Sequence, residues 1–503
     1  MGKKRGVLTA LVALTLMGGG VVAALPSDAA SRAVADYTTA EAGNPIVDGW
    51  YADPDTAVYQ GVYWVYPTTS QGYDQQTYLD ALASTDLVHW TKHPNVLTTA
   101  NVPWARRALG APAPVERNGR YYLYFAANDL QRDSELGGIA GIGVAVADKP
   151  EGPYTDAIGK PLIGAFHNGA QPIDEDVFID TDGQAYLYYG GRGHANVVKL
   201  NADMTSLGTF ANGRRYREIT PAGYAEGAQM FKRDDRYYLM WSAGGPDHAV
   251  SYAMADSPTG PFIRPATILR QDPAVARGLG GSGVFTVPGT DTWYLVYHRR
   301  QLGETDANHR ELAYDRMTFN ADGTIQPVKT LVKDDFEDGN ALGWRILGGS
   351  WSVGGSRLRV ESSPVGGKAM QDTNFADLVY DADVTVTGGD PAGDAGVVFR
   401  ATKIGRGTDA FAGYYAGIRP SGAVVLGKAS YAWTELAATG LTVTTGTTYH
   451  LRVKAVGPAI RVYVDDMTTP KISVTDPSFT TGANGVRALF ADAAFDNIAI
   501  AHP

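Results

Sequence analysis

The sequence predicts an all-β protein: a five-bladed β-propeller followed by a β-sandwich (jelly roll) domain. Three observations predict it. A short aromatic motif recurs five times, at spacings that suit one four-stranded unit. The composition, with 60 glycines and 28 tyrosines among 503 residues, favours short strands joined by glycine turns over long apolar helices. Near Val328 the repeat gives way to a different alternating pattern that runs to the end of the chain. The length also exceeds what one ordinary core supports, so two domains are expected.

The chain opens MGKKRGVLTALVALTLMGGGVVAALPSDAASRAV, with basic residues Lys3, Lys4 and Arg5, an apolar segment from about Val7 to Ala24, and small residues ending near Ala29 or Ala30. Residues 1–30 read as a secretory signal peptide and 31–43 as an N-terminal linker, with an uncleaved anchor as the alternative. The expected location is extracellular, with no membrane partner once the signal is removed, and the expected oligomeric state is a monomer. There is no cysteine, so packing alone must hold the fold and thiol redox chemistry is excluded. A formal net charge of −10 with no basic run argues against nucleic acid as a partner. A neutral partner such as an oligosaccharide or polysaccharide fits better.

The repeats are GVYWVYP (61–67), GRYYLYF (119–125), GQAYLYY (183–189), DRYYLMW (235–241) and DTWYLVY (291–297). Taking Trp64, Tyr122, Tyr186, Tyr238 and Tyr294 as equivalent, they recur after 58, 64, 52 and 56 residues. Each is followed by an alternating strand, a polar turn and another short strand. Four strands per unit and five units describe a propeller spanning 44–330, each blade covering its neighbour's apolar face, with an irregular array of sandwiches as the alternative.

Counting back from the equivalent aromatics, Asp53 lies 11 residues before Trp64, Asp174 lies 12 before Tyr186, and Glu226 lies 12 before Tyr238. Three blades thus carry an acid at nearly the same place on the innermost strand, which in a propeller faces the axis. Converging carboxylates raise one another's pKa values. Glycoside hydrolysis uses that: one carboxylic acid protonates the leaving oxygen while a carboxylate activates water. A metal site of three carboxylates and a structural ion-pair network are the competing readings.

The stretches NPIVDGWYADPD, PIDEDVFIDTDGQAYLYYGG, YAEGAQMFKRDDRYYLMWSAGG and WYLVYHRR, in that order between about Asn44 and Val328, resemble the blade motifs of glycoside hydrolase family 43. The resemblance implies a five-bladed propeller acting by inversion on arabinose, xylose or galactose linkages. It implies Asp53 as general base, Glu226 as general acid and Asp174 as the residue that orients the acid and tunes its pKa. A raised pKa on Glu226 is expected from an apolar rim and the negative charge of Asp174. His298 and Arg310 resemble further pocket residues that contact sugar hydroxyls or, for the histidine, an axial ion or water. Trp50 and Trp104 are candidate sugar-stacking aromatics, with a packed role as the alternative.

Three departures from the family pattern stand out. GLGGSGVF (278–285) has Gly281 and Ser282 where histidine is usual, which counts against a calcium ion near the axis, so no cofactor is expected to be required. PIDEDVF puts Glu175 where proline is frequent and adds Asp176, a competitor for the modulating role. GAPAPVERNG lacks a tryptophan before its Ala-Pro, so the pocket wall there is expected to be more open.

Residues 331–503 alternate in segments such as LVYDADVTVTG and AIRVYVDD, between DDFEDGNALGWRILGGSWSV and FADAAFDNIAIAH. They read as a sandwich, and their ends resemble the concanavalin-like or laminin-G-like modules appended to secreted sugar hydrolases. Carbohydrate binding and a stabilising cap are both open for it. Asp335, Asp338 and Asp496 are candidate ligands of a structural calcium ion, with acidic turns as the alternative. The resulting expectation is a secreted, exo-acting, inverting hydrolase that releases a terminal α-L-arabinofuranosyl or β-D-galactofuranosyl unit from polysaccharides. A β-xylosidase and a non-catalytic sugar-binding propeller are the alternatives.

Overall fold

A computed structural model describes residues 42–129, 139–244, 248–361 and 363–503, and these belong to one compact unit. The expected signal peptide and most of the linker lie outside the described residues. No helix among the described residues is long and apolar enough to cross a membrane.

The propeller is built of antiparallel up-and-down sheets. Blade one comprises β1 (Tyr51–Tyr59), β2 (Val62–Thr69), β3 (Tyr78–Ser84) and β4 (Thr91–Thr98). Blade two comprises β5 (Gly110–Arg117), β6 (Arg120–Ala127), β7 (Gly141–Ala147) and β8 (Thr155–Asp156). Blade three comprises β9 (Asp176–Ile179), β10 (Ala185–Tyr189), β11 (Asn196–Leu200) and β12 (Tyr216–Glu218). Blade four comprises β13 (Glu226–Arg233), β14 (Arg236–Ala243), β15 (Ala249–Ala255) and β16 (Ile263–Arg270). Blade five has only three strands, β17 (Arg277–Thr286), β18 (Trp293–Arg300) and β19 (Glu311–Met317), against the expected four.

The reason is closure. The segment before β1 runs beside β19: Ile46 N–H donates to Leu312 O at 3.1 Å, Tyr51 N–H to Arg310 O at 2.7 Å, and the Asn44 side chain accepts from Tyr314 N–H at 3.1 Å. The chain start therefore occupies part of the outer position of the last blade and joins it to the first. The five aromatic repeats all fall on the second strands, whose rings pack between blades. Tyr124 and Tyr189 belong to one apolar cluster between blades two and three, Trp241 and Tyr188 to one between three and four, and Tyr297 and Tyr238 to one between four and five. Burial of apolar area at these seams, at about 25 cal/mol per Å², is what a chain without disulfides has to hold its blades together.

The second domain starts with β20 (Val332–Asp334), β21 (Trp344–Leu347), β22 (Ser350–Val353), β23 (Leu358–Glu361) and β24 (Gly367–Phe375). It continues with β25 (Leu378–Thr402), β26 (Ala412–Arg419), β27 (Ala423–Ser430), β28 (Trp433–Gly440), β29 (Thr448–Val456), β30 (Ala459–Val464), β31 (Ile472–Thr475) and β32 (Gly482–Ala501). β25 and β32 pair with each other over most of their length. The first half of β25 also pairs with β29 and the second half with β26. Each long strand thus passes from one sheet to the other, bending where Gly389 has φ +98° and a Cβ would lie 2.4 Å from Phe490 O. The core between the sheets includes Phe399, Tyr414 and Phe495, and it also takes in Ala274, Val275 and Ala276 from the propeller. The two domains share this apolar cluster.

Asp335, Asp338 and Asp496 accept the N–H groups of Glu337, Asn340 and Asn497, as acidic turn residues do. Among the described residues no group of three or more His, Asp or Glu side chains forms a metal centre.

Candidate active site

The innermost strands converge on a pocket of about 320 Å³ lined by Asp53, Asp174, Glu226, His298 and Arg310. A local device recurs on all five. Backbone with positive φ occurs at Asp53 (+45°), Ala111 (+45°), Asp174 (+54°), Gly227 (+73°) and Gly281 (+45°). The strand register shifts at the same place in β1, β5, β13 and β17. These bulges end regular pairing at the mouth of the channel and turn the side chains there towards the axis. At Gly281 the glycine is required: a Cβ would lie 2.7 Å from Asp53 Cα and 2.8 Å from His298 Nδ1. The absence of a side chain where histidine is usual lets β17 close on Asp53.

Asp53 is held by two cationic or polar neighbours. His298 Nδ1 accepts its backbone N–H at 3.1 Å and lies 3.3 Å from Oδ1. Arg310 Nη1 approaches Oδ1 and Oδ2 at 3.4 and 3.5 Å, while its Nε donates to Ser70 Oγ at 2.9 Å. Burial works to raise the Asp53 carboxyl, but Arg310 and His298 outweigh it and hold it well below the usual carboxylate range. Burial pushes the His298 imidazole down, and the nearby Arg310 charge adds to this against the pull of Asp53.

Glu226 is raised by burial and by the negative charge of Asp53, against Arg310. Asp174 rises further, through burial and the charges of Glu226 and Asp53. The expectation that a negative Asp174 lifts Glu226 needs correction: the deeper Asp174 is itself pushed up hard, so the two carboxyls titrate as a pair. Beneath them Asp55 and Asp176 form a second acid pair. Asp176 accepts Met230 N–H at 2.6 Å and is pushed up to about 7, chiefly by burial. Asp55 is raised by burial and by Asp176.

Trp104 does not reach the pocket. It is 9% exposed and stacks on Phe125 at 5.8 Å within the seam of blades one and two, where Gly143 leaves room for its ring. A large aromatic beside an inner strand found more apolar area to bury in the seam than at the mouth. Trp50 is 36% exposed and stacks face to face on His309 at 4.6 Å, outside the pocket lining. Its carbonyl accepts Ser70 N–H at 2.9 Å, which ties it to the anchor of Arg310. Sequence reasoning missed Ser70 and also Tyr73, which is 58% exposed on the loop between β2 and β3, within electrostatic reach of Asp53, Asp174 and Glu226. An aromatic directly after Gly72 in an otherwise polar connection was the available signal for Tyr73.

Residues 42–325 match the family model "Glycosyl hydrolases family 43", and residues 332–501 match a 3-keto-alpha-glucoside-1,2-lyase-like domain. A β-D-galactofuranosidase of Aspergillus niger is 45% identical over 304 residues, covering 57% of this chain and 85% of that protein. A xylosidase/arabinosidase of Humicola insolens is 29% identical over 348 residues, 57% of this chain and 99% of that one. A solved β-xylosidase/α-arabinofuranosidase from a compost microbial metagenome, in complex with xylotriose, is 27% identical with a TM-score of 0.48, covering 56% of this chain and 96% of that chain. By its blades, its pocket and the match of its propeller, the chain belongs to family 43 of the glycosyl hydrolases and is a glycoside hydrolase.

Proposed function

We propose that the protein is a secreted, exo-acting, inverting furanosidase that releases terminal β-D-galactofuranosyl residues, with α-L-arabinofuranosides, which share the ring stereochemistry, as a second substrate class. The observation that carries this reading is the 45% identity with a β-D-galactofuranosidase over 304 residues, 57% of this chain. Asp53, kept ionised by Arg310, takes the proton of the attacking water. Glu226, its pKa raised by burial and by the negative charge of Asp53, gives its proton to the leaving oxygen on the opposite face of the ring. Asp174 positions Glu226 and shares its titration. The proton donors and acceptors are all side chains, so the proposed reaction uses no cofactor. The basic, apolar and small-residue order of residues 1–30 supports export.

The test is hydrolysis of 4-nitrophenyl β-D-galactofuranoside, α-L-arabinofuranoside, β-D-xylopyranoside and β-D-galactopyranoside, with the product anomer followed by NMR. The two furanosides should be cleaved with inversion. Glu226→Gln should lose about 10²- to 10⁴-fold on a natural linkage and much less on the nitrophenyl substrate, whose leaving group needs little protonation. Asp53→Asn should lose activity on both. Xylopyranoside as the preferred substrate, or normal hydrolysis of a natural linkage by Glu226→Gln, would sink the reading.

A further inference from the structure

Ser242 takes no part in the reaction just described, yet it stands between the groups that do. It borders the pocket from β14, directly across from Glu226 in the pairing of β13 with β14, where the register shifts towards Gln229. Its Oγ accepts the N–H of Gly281 at 2.8 Å, a bond that crosses from blade four to blade five. Gly281 has no opposite number in its own sheet, because the pairing of β17 with β18 shifts register between Gly280 and Ser282. It is the extra residue of the bulge, which a ladder leaves unpaired. Ser242 supplies the partner that β18 does not.

Close contacts continue the line on either side. Towards the acid, a Cβ on Gly227 would lie 3.2 Å from Ser242 Oγ, and the Gly227 N–H donates to Asp174. Towards the base, a Cβ on Gly280 would lie 3.3 Å from Ser242 Oγ and 3.0 Å from His298 Nε2, and Gly281 abuts Asp53 Cα. Glu226 and Asp53 belong to different sheets, so neither strand alone can set the distance between them. An inverting glycosidase needs its two carboxyls about 6.5 to 9.5 Å apart to admit a water. A misplacement of about 1 Å costs on the order of 100-fold in rate.

We propose that Ser242 is a positioning residue that fixes the separation of Glu226 and Asp53, its hydroxyl oxygen holding the blade-five bulge at Gly281 against the backbone of Asp53. This rests on the acid and base roles given above. Serine has the smallest side chain with a hydrogen-bond acceptor, which suits a place between Gly227, Gly280 and Gly281. The tie also bears on the charge of the base. Arg310 and His298 lower Asp53 against burial, while Glu226 and Asp174 face it with like charge. A bulge released from Ser242 lets Asp53 move away from the two groups that keep it ionised.

The test measures kcat and KM separately on the preferred nitrophenyl glycoside, together with the pH profile of kcat/KM. Ser242→Ala should lower kcat at least tenfold with KM within threefold of wild type, and should move the acid limb, set by Asp53, to higher pH. Ser242→Thr, which keeps the oxygen, should recover most of kcat and return the limb. Because Ser242→Ala can fail to fold, Ser242→Cys, whose sulfur is a weak acceptor, asks the same question and should lose at least threefold in kcat with the limb moved the same way. A kcat within twofold of wild type in the alanine variant, or in the cysteine variant where alanine does not fold, overturns the proposal. Equal losses in the alanine and threonine variants with the acid limb in place overturn it too, since that is what packing alone would give. Normal hydrolysis of a natural linkage by Glu226→Gln or Asp53→Asn overturns the acid and base roles, and the tie with them. Loss of activity in those two beside an unaffected Ser242→Ala overturns the tie alone.

Discussion

Arg310 connects two requirements of the pocket that no single acid can meet. Its guanidinium, braced by Ser70, lowers Asp53 far below the usual range and also pulls Glu226 down from where burial would put it. Removing it should therefore move both limbs of the kcat/KM profile the same way. On the proposed roles, the acid limb set by Asp53 moves to higher pH in Arg310→Ala, and so does the alkaline limb set by Glu226. An acid limb that stays in place would show that Arg310 does not govern the base. Arg310→Lys should restore the position only in part, because an ammonium cannot hold Ser70 and Asp53 together in a planar fork. Asp53, Asp174 and Glu226 were legible in the sequence because nearly equal distances from a repeated aromatic, 11, 12 and 12 residues, put them in register. Ser70 was not, since its significance lies in bracing the Arg310 guanidinium, which reaches it from the other end of the propeller's sequence.

The inner strands were legible as elements, but their bulges were not. A bulge is a mismatch between two paired strands, so neither strand's own alternation reveals it. Gly281 tests its importance. With positive φ and Asp53 Cα 2.7 Å from the place of its Cβ, Gly281→Ala has to displace either β17 or Asp53. A displacement near 1 Å should cost on the order of 100-fold in kcat, with a fall in Tm from backbone strain of about 1 to 3 kcal/mol. Full activity would show that the close approach is dispensable. A second element-scale contact links the domains to the pocket. Asp372 on β24 accepts Gly303 N–H at 2.5 Å, at the root of the loop that carries His309 and Arg310. Loss of that anchor in Asp372→Ala should reduce kcat/KM about fivefold, the equivalent of about 1 kcal/mol. Asp372→Asn, which keeps an acceptor, should recover most of it, and equal losses in the two variants would reject the anchor.

Across the whole molecule, the buried acids make stability depend on pH in a definite direction. Asp176 and Asp315 are both pushed up to about 7, chiefly by burial. An unfolded chain loses those protons near pH 4. Between about pH 4 and 7 the folded state therefore binds more protons, and its stability falls as pH rises through that window. Thermal unfolding should show Tm declining from pH 5 to 7. Asp176→Asn, which still accepts from Met230 N–H, should flatten the decline, and an unchanged slope would mean that Asp176 does not carry it. By itself the sequence determined the five blades, the sandwich and the three acids in register, because strand alternation and repeat spacing are properties of the chain read in one dimension. Only the tertiary structure decided that blade five borrows its outer edge from the chain start, that Trp104 fills a seam and not the pocket, and that the sandwich core takes in Ala274–Ala276. Each of these depends on groups distant in sequence competing for the same buried space, and which group wins is set by packing and by available hydrogen-bond partners.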